Sequence, residues 1–293
     1  MKQYIISNEE AAAEGQVKKM SIEHRMIHPH TYIHASARLA TNVKIDPFTV
    51  IHQDVEIGEG TWIGSNVTIM EGARIGKNCR IFPGAVIAAI PQDLKFQGEY
   101  SNVFIGDNTT IREFVTVNRG TKDREKTMIG NNCLIQAYCH LAHDCIVGNN
   151  CIMSNNTQVA GHVFIDDWAI LGGMCAVHQF VKVGRHSFVQ GGSLVGKDIP
   201  PYIKAGRLPL SYCGVNSVGL KRRGFTVEKI NQILDVYRIL YNKGMNTSQA
   251  LEYLEEEYPA TDERDEIVTF IRESSRGIIK RYSKSSFDED YAD

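Results

Sequence analysis

The chain has 293 residues, a mass of 32.8 kDa and a formal net charge of −2, with 32 Lys and Arg against 34 Asp and Glu. That balance excludes a generally basic nucleic-acid binder, because no overall positive field exists to neutralise phosphates. A hydrophobic content of 43% excludes a disordered chain. No apolar run approaches the roughly 18 residues of a membrane span, and residues 1–16 lack the apolar stretch of a secretion signal. We therefore expect a cytoplasmic protein with no membrane span and no nucleic-acid partner.

A period of six residues runs through most of the chain. From Ile27 to Val195, 26 of the 29 positions reached in steps of six are Ile, Leu, Val or Met. The exceptions are Asp93, Glu99 and Asp123, which fall at two interruptions. A period of six excludes an amphipathic helix, since it keeps no single helical face buried. The pattern instead predicts short strands that repeat at a fixed interval.

Gly or Asn recurs at the fourth place of many of these hexads, as in IGEGTW and IGDNTT. Both residue types tolerate a positive φ, so each hexad is predicted to be a short strand that ends in a sharp corner. Three such sides close the smallest polygon. The sequence therefore predicts an all-β, triangular parallel β-helix of hexapeptide repeats, with about 18 residues in each coil and coils about 4.8 Å apart.

Most of the cysteines follow the same period. Six of the seven lie four places after a stepped aliphatic residue, where other hexads hold Ala, Thr or Val. We expect them to be small core residues rather than metal ligands or disulfide partners, because a zinc or disulfide framework needs a different spacing. No metal is predicted. The six are Cys79, Cys133, Cys139, Cys145, Cys151 and Cys175.

The period also divides the chain into regions. It is interrupted twice within the β-helix, and it disappears after Pro200 and Pro201, where helical spacing of apolar residues begins. The predicted helices span residues 226–241, 247–258 and 265–282. The predicted regions are an N-terminal extension at 1–26, the β-helix at 27–200 with extruded loops near 88–103 and 120–127, a small α-helical C-terminal domain at 201–285, and a tail at 286–293.

A group of histidines follows the coil spacing. Steps of 18 residues align His143 with Gly161 and with Gln179, while His162 and His178 fall one place to either side of that column. An imidazole near its unperturbed pKa is suited to taking a proton from a hydroxyl group. A neighbouring carboxylate can orient such an imidazole. The backbone N–H of a glycine can approach a developing oxyanion closely. The alternative is a set of scattered surface histidines. Neighbours in a strand point to opposite faces, so Asp144 reaches His143 only at a corner or across a subunit boundary.

A second charged feature is the run Lys221, Arg222 and Arg223, placed just before the first predicted helix. Such a run is usually a solvated face. The functional interpretation is a site that binds phosphates or an acidic partner.

Seven motifs occur in a fixed order along the chain. Together they resemble the UDP-N-acetylglucosamine O-acyltransferases that open lipid A biosynthesis. The resemblance covers residues from about 27 to 281, whereas the hexads alone would indicate only a superfamily. The motifs are QDLK (92–95), NRGT (118–121), HLAHDC (140–145), AGHV (160–163), GGMCAVHQF (172–180), DIPPY (198–202) and GLKRRGF (219–225).

The resemblance implies a left-handed β-helix that forms a homotrimer, with each active site between neighbouring subunits. It implies transfer of a 3-hydroxyacyl group from acyl carrier protein to the glucosamine 3-hydroxyl of UDP-N-acetylglucosamine. No cofactor is implied beyond the phosphopantetheine that acyl carrier protein brings. His143 would be the general base and Asp144 its orienting partner, and Gly161 would supply the oxyanion N–H.

The resemblance also assigns substrate contacts. Asp93 and Lys95 would hold the sugar nucleotide, and Gly191 would set the acyl length, with a long chain favoured by a glycine there. Val218 departs from the family, because some members have an acidic residue at that place. The remaining assignments are His140, His162, His178 and Gln179 in the cleft, and Asn216, Arg222 and Arg223 against the nucleotide or the phosphopantetheine arm.

Two other classes of protein share the hexads. A trimeric zinc lyase of the γ-carbonic-anhydrase type would place three histidines at an interface and bind zinc tightly, but that family lacks the QDLK loop and the GLKRRGF segment. A non-catalytic β-helix would leave the histidine column and the extruded loop without a role. The hexad repeats alone do not distinguish these two classes from the acyltransferases.

Overall fold

A computed structural model describes residues 26–242 and 244–282. The predicted extension at 1–26 therefore lies outside the described residues apart from Met26, and so does the predicted tail at 286–293. Within the described ranges, 27 strands, β1 to β27, are followed by four helices, α1 to α4. None of these helices is both long enough and apolar enough to cross a bilayer.

The strands form three parallel sheets, because each strand pairs with the strand one coil, or about 18 residues, further along. Sheet I contains β1 (Tyr32–Ile33), β4 (Val50–Ile51), β7 (Thr68–Ile69), β10 (Val86–Ala89), β13 (Thr116–Asn118), β16 (His140–Leu141), β19 (Gln158–Val159), β22 (Ala176–Val177) and β25 (Leu194–Val195). Sheet II contains β2 (Arg38–Leu39), β5 (Glu56–Ile57), β8 (Ala73–Ile75), β11 (Asn102–Ile105), β14 (Lys126–Ile129), β17 (Ile146–Val147), β20 (Phe164–Ile165) and β23 (Lys182–Val183).

Sheet III closes the triangle and ends in an antiparallel pair of strands, β26 and β27, at the C-terminal end of the prism. Its strands are β3 (Lys44–Ile45), β6 (Trp62–Ile63), β9 (Arg80–Ile81), β12 (Thr110–Ile111), β15 (Leu134–Ile135), β18 (Ile152–Met153), β21 (Ile170–Leu171), β24 (Phe188–Val189), β26 (Ile203–Gly206) and β27 (Ser211–Val215). The predicted three-sided β-helix is confirmed.

The stepped aliphatic residues form the core. From Ile45 to Val195, all of those that continue the period are buried, whereas Ile27 at the open first coil is 41% exposed. The six cysteines on the period are buried and free, as expected for small core residues. Since each side chain packs on its equivalent one coil away, the core is a continuous column rather than a separate cluster in each coil.

The corners use left-handed backbone at one residue each. At the corner between sheets I and II this residue is Asp144, then His162, then Phe180, with φ of 59°, 63° and 66°. At the corner between sheets II and III it is Asn150, Trp168 and His186, and between sheets III and I it is Asn156, Met174 and Gly192. The predicted preference for Gly and Asn therefore holds at many corners, while bulky residues occupy others and stack on one another, as His162 and Phe180 do.

The helical part differs from the prediction in two places. The basic run lies partly within an unpredicted short helix, α1 (Ser217–Arg222), and the last helix, α4 (Asp262–Arg272), ends ten residues before the predicted 282. The chain beyond α4 returns to the prism, where Ile278 pairs with Asp198. The other two helices are α2 (Val227–Asn242) and α3 (Thr247–Glu256), within two residues of the predicted bounds.

Candidate active site

A cleft of about 1010 Å³ lies on the outer face of sheet I, beside the corner between sheets I and II. Its floor is the outward side of β16, β19 and β22, and the segment between β10 and β11 forms one wall. This cleft brings together most of the side chains that the sequence singled out. They are Asp93, Lys95, His140, His143, Gly161, His162, His178 and Gln179.

His143 and Asp144 contact each other although they are adjacent in the chain. Nδ1 of His143 lies 2.8 Å from Oδ2 of Asp144. Neighbouring side chains in an extended strand would point apart, but the φ of 59° at Asp144 places the pair on a corner and turns both side chains to the same side. The sequence allowed this contact only at a corner or across a subunit boundary, and the structure forms it at a corner within one chain.

The Asp144 carboxylate is fully buried and held by a loop. Thr121 donates to it from its backbone N–H, 3.0 Å from Oδ1, and from its hydroxyl, 2.7 Å from Oδ2, and the Arg124 N–H lies 3.2 Å from Oδ1. Burial alone would raise the pKa of Asp144, but the hydrogen bonds from Thr121 and His143 and the nearby His162 outweigh it and lower that pKa. The group is thus an anion at neutral pH.

The other nitrogen of His143, Nε2, faces the cleft and lies 3.9 Å from Oδ2 of Asp93. The ring packs over Gly161, and a Cβ at that position would lie 2.6 Å from Cε1 and 2.7 Å from Nε2 of His143. Among the described residues, the N–H of Gly161 has no protein acceptor. A glycine is therefore needed here for the ring to fit, and its N–H is free to bind a ligand.

His162 and His140 flank His143. The ring of His162 meets His143 edge-on, 5.0 Å between centroids, and its Nδ1 lies 3.1 Å from Oδ2 of Asp123. His140 pairs with Thr116 at 2.7 Å, and burial together with the positive charge of a protonated His143 lowers the pKa of His140. His140 is thereby kept neutral, and because Nδ1 is engaged by Thr116, only Nε2 is left to donate or accept a hydrogen bond with a substrate.

The sequence did not single out three residues that the structure places at the site. Thr121 and Arg124 hold Asp144, and Asp123 lies against His162. All three belong to the second interruption of the period, and Thr121 ends the NRGT motif. That interruption was the available signal, but spacing alone could not indicate that the loop folds back beneath the histidine column.

Within the described part of the chain, one group of residues has the ligand types and proximity of a metal site. The ligand atoms of His143, Asp144 and His162 lie within 4.8 Å of one another. However, both oxygens of Asp144 already accept hydrogen bonds from the loop. These hydrogen bonds and the contact with Nδ1 of His143 make Asp144 an anion that orients the imidazole.

Four of the expected site residues lie elsewhere in the same chain. Asn216 caps α1 and donates to the carbonyl of His186, and Arg223 lies over the ring of Trp168, so both are at the corner between sheets II and III. Arg222 is exposed on α1, and Gly191 adjoins the corner between sheets III and I, against Gly173. One chain does not bring these four residues to the cleft.

The amino-acid sequence was compared with protein families and with known proteins. The profile described as "Udp N-acetylglucosamine O-acyltransferase; Domain 2" matches residues 198–279, and "Bacterial transferase hexapeptide (six repeats)" matches 54–89 and 126–161. The acyl-[acyl-carrier-protein]–UDP-N-acetylglucosamine O-acyltransferase of Thiobacillus denitrificans is 43% identical over 255 residues, which are 87% of this chain and 99% of the relative. The chain belongs to this family.

Solved structures give the same assignment. LpxA from Bacteroides fragilis, a UDP-N-acetylglucosamine acyltransferase, is 50% identical with a TM-score of 0.85, over 87% of this chain and all of that one. The Francisella novicida enzyme of the same name is 43% identical with a TM-score of 0.84, over 89% and 96% of the two chains. The predicted resemblance is confirmed, and with it the left-handed hand of the β-helix. Because the chain belongs to this family, the two alternative assignments, a zinc lyase and a non-catalytic β-helix, are set aside.

Proposed function

We propose that the protein transfers a 3-hydroxyacyl group from acyl carrier protein to the 3-hydroxyl of UDP-N-acetylglucosamine, the first step of lipid A biosynthesis. The observation that carries the proposal is the pair His143 and Asp144, with Nε2 of His143 open to the cleft and Gly161 beneath its ring. The names of the relatives support the two substrates.

The chemistry follows from this arrangement. Nε2 of His143 takes the proton of the sugar hydroxyl as the oxygen attacks the thioester carbonyl, while Nδ1–H donates to Asp144. The Gly161 N–H stabilises the oxyanion of the tetrahedral intermediate. When that intermediate collapses, the C–S bond breaks, the imidazolium returns its proton to the phosphopantetheine thiol, and the ester remains on the sugar. No step needs a metal or a further cofactor.

Substrate contacts are proposed from the walls of the cleft. Asp93 lies 3.9 Å from Nε2 of His143, so a sugar that occupies the cleft can reach both groups. Lys95 on the same wall supplies a cation for the nucleotide phosphates. His140, His162, His178 and Gln179 line the remaining surface.

We also propose that the active assembly is a homotrimer, in which Arg222 and Arg223 reach the cleft of a neighbouring subunit and Asn216 holds the start of the helix that carries them. Two observations support it: these residues lie at a different corner from His143 in their own chain, and the corner between sheets III and I exposes a row of large apolar side chains. Of the three, Asn216 is buried and caps α1, so Arg222 and Arg223 are the better-placed contacts. The exposed row is Phe48, Phe114, Tyr138 and Met174.

A direct assay tests the proposal. Purified protein is incubated with 3-hydroxyacyl carrier proteins of several chain lengths and UDP-N-acetylglucosamine, and the ester product is measured by mass spectrometry. We expect His143→Ala to lower kcat by about 10²–10⁴-fold with an unchanged circular dichroism spectrum. The matched control is His52→Ala, since His52 is half-exposed, does not line the cleft and lies away from the corner between sheets III and I. Near-normal turnover by His143→Ala would contradict the assigned chemistry.

Two further parts of the proposal have separate measurements. Light scattering should give about three times the 32.8 kDa of one chain, and a monomer would contradict the shared site. The cytoplasmic location stays a prediction, and cell fractionation tests it.

A further inference from the structure

We propose that Thr121 is a positioning residue for the catalytic pair, because its hydroxyl fixes the carboxylate oxygen that His143 uses. This inference rests on the proposed function and adds the loop between β13 and β14, residues 119–125, to the site. The loop contacts the buried carboxylate rather than the open cleft.

The loop contacts both oxygens of Asp144. The backbone N–H groups of Thr121 and Arg124 lie 3.0 Å and 3.2 Å from Oδ1, and the Thr121 N–H is shared with Oδ2 at the longer distance of 3.2 Å. The Thr121 hydroxyl lies 2.7 Å from Oδ2, which is the oxygen that pairs with Nδ1 of His143 at 2.8 Å. Arg124 also donates from its guanidinium to the backbone carbonyl of Asp144 at 2.9 Å. The loop therefore fixes both the main chain and the rotation of the carboxylate.

This rotation matters because two imidazoles face the same oxygen. Oδ2 of Asp144 lies 2.8 Å from His143 and 3.9 Å from Nε2 of His162. A carboxylate free to turn about its last bond would be shared between the two rings, since that torsion is broad in aspartate. The Thr121 hydroxyl holds Oδ2 toward His143, so the base keeps the orientation that the reaction needs.

The loop is itself anchored. The Ser101 hydroxyl donates to the carbonyl of Gly120 at 2.5 Å, and Glu99 accepts from the N–H of Lys122 at 3.1 Å. Ser101 and Glu99 belong to the other interruption of the period, which carries Asp93 and Lys95. The two extruded segments thus support each other, and together they hold the Thr121 side chain against Asp144.

Three variants test the proposal. Thr121→Val keeps the shape of the side chain and both backbone donors but removes the hydroxyl, and Thr121→Ser restores it. The matched control is Thr127→Val in β14, because Thr127 is also fully buried and its hydroxyl has no partner among the described residues. Thermal unfolding of all three variants verifies that each remains folded.

We expect Thr121→Val to lower kcat by about tenfold to a hundredfold, the range that loss of one hydrogen bond to a charged group produces. The KM for UDP-N-acetylglucosamine should stay within about twofold, since Thr121 does not line the cleft. Thr121→Ser should recover most of kcat, and Thr127→Val should match the parent protein. Equal kcat values for Thr121→Val and Thr127→Val would overturn the proposal.

Crystal structures provide a readout that does not depend on the reaction. In Thr121→Val, Oδ2 of Asp144 should turn away from Nδ1 of His143, whereas in Thr127→Val the 2.8 Å contact should be retained. An unchanged contact in Thr121→Val would overturn the positioning role even if the parent protein transferred no acyl group. Absence of transfer by the parent protein would contradict only the proposed function.

Discussion

The imidazole of His143 rests on the Cα of Gly161, one coil further along the chain. A Cβ on Gly161 would lie 2.6 Å from Cε1 of that ring, closer than real Cβ atoms come to another heavy atom. The smallest possible side chain at position 161 therefore has to move the ring of His143. Glycine is required here by the space under the ring, because Gly161, unlike the neighbouring corner residue His162, has no positive φ.

Gly161→Ala should leave the fold intact and lower kcat by about a hundredfold, because a displacement of the base by a fraction of an ångström to one ångström disrupts the attack geometry. Steady-state kinetics and circular dichroism measure the two quantities. Gly196→Ala is the comparison, since a Cβ there meets no atom within 4 Å. A similar loss of kcat in both variants would mean that a methyl group lowers activity wherever it is added, and that the contact with His143 is not the cause.

Mixed oligomers should show whether one active site uses two chains. His143→Ala and Arg222→Ala are each expected to be nearly inactive alone. When they are unfolded together and reassembled in equal amounts, about a quarter of the sites in random trimers should hold both an intact His143 and a neighbour's intact Arg222. The mixture should therefore regain about a quarter of the parent activity. If the mixture is no more active than the separate variants, the arginine acts within its own chain or has no role in the reaction.

Stability should depend on pH through Asp144. Burial would raise its pKa, but the hydrogen bonds from Thr121 and His143 lower it below the ordinary value of about 3.9. A lowered pKa stabilises the folded state above roughly pH 4, and this contribution is lost as pH falls through the lowered pKa. Denaturant titrations from pH 7 to pH 3 should therefore give a steeper loss of unfolding free energy for the parent protein than for Asp144→Asn.

At pH 7, Asp144→Asn should be less stable than the parent by about 1.5–3 kcal/mol, the contribution of hydrogen bonds to a charged group. The control is Asp262→Asn, because Asp262 is exposed at the start of α4. Identical pH dependence of the parent and Asp144→Asn would show that the carboxylate contributes no ionisation-linked stability.

Gly191 should control the length of the acyl chain. It lies at the corner between sheets III and I, where a Cβ would already be 2.9 Å from the carbonyl of Gly173. In the proposed trimer this corner faces a neighbouring subunit, and if the acyl chain ends there, Gly191→Met should shorten the preferred chain by several carbons. Competition between 3-hydroxyacyl carrier proteins of different lengths measures the preference as a ratio of kcat/KM values. An unchanged ratio would place the end of the acyl chain elsewhere.

The sequence predicted the prism well because one rule determines it: an aliphatic residue at every sixth position is buried, from Ile45 to Val195. The rule does not extend to the end of the chain. The apolar spacing at 265–282 continues beyond Arg272, but the chain leaves the helix and Ile278 pairs with Asp198 instead. Pairing with a strand edge depends on the finished prism, so local spacing could not predict it.

The site was predicted in part for the same reason. Steps of 18 residues placed His143 beside Gly161 and Gln179, because coil spacing is a property of the sequence. The loop from Gly120 to Thr127 interrupts that spacing, so its contact with Asp144 depends on how the extruded chain folds back. Asn216 and Arg223 lie at a different corner of the same chain, so their contact with the site of a neighbouring subunit stays a prediction.

His143 and Gly161, the proposed base and oxyanion donor, come from successive coils, so backbone hydrogen bonds of the ladder set their separation: Leu141 pairs with Val159, and His162 donates to the carbonyl of His143. Whole coils can therefore be added or removed at the N-terminal end of the prism, which alters the length of the molecule without changing the reactive geometry. Insertion of a single residue between His143 and Gly161 is different, because it would rotate every later position out of register. In this fold, the active site therefore tolerates a change in chain length when the change adds or removes complete coils.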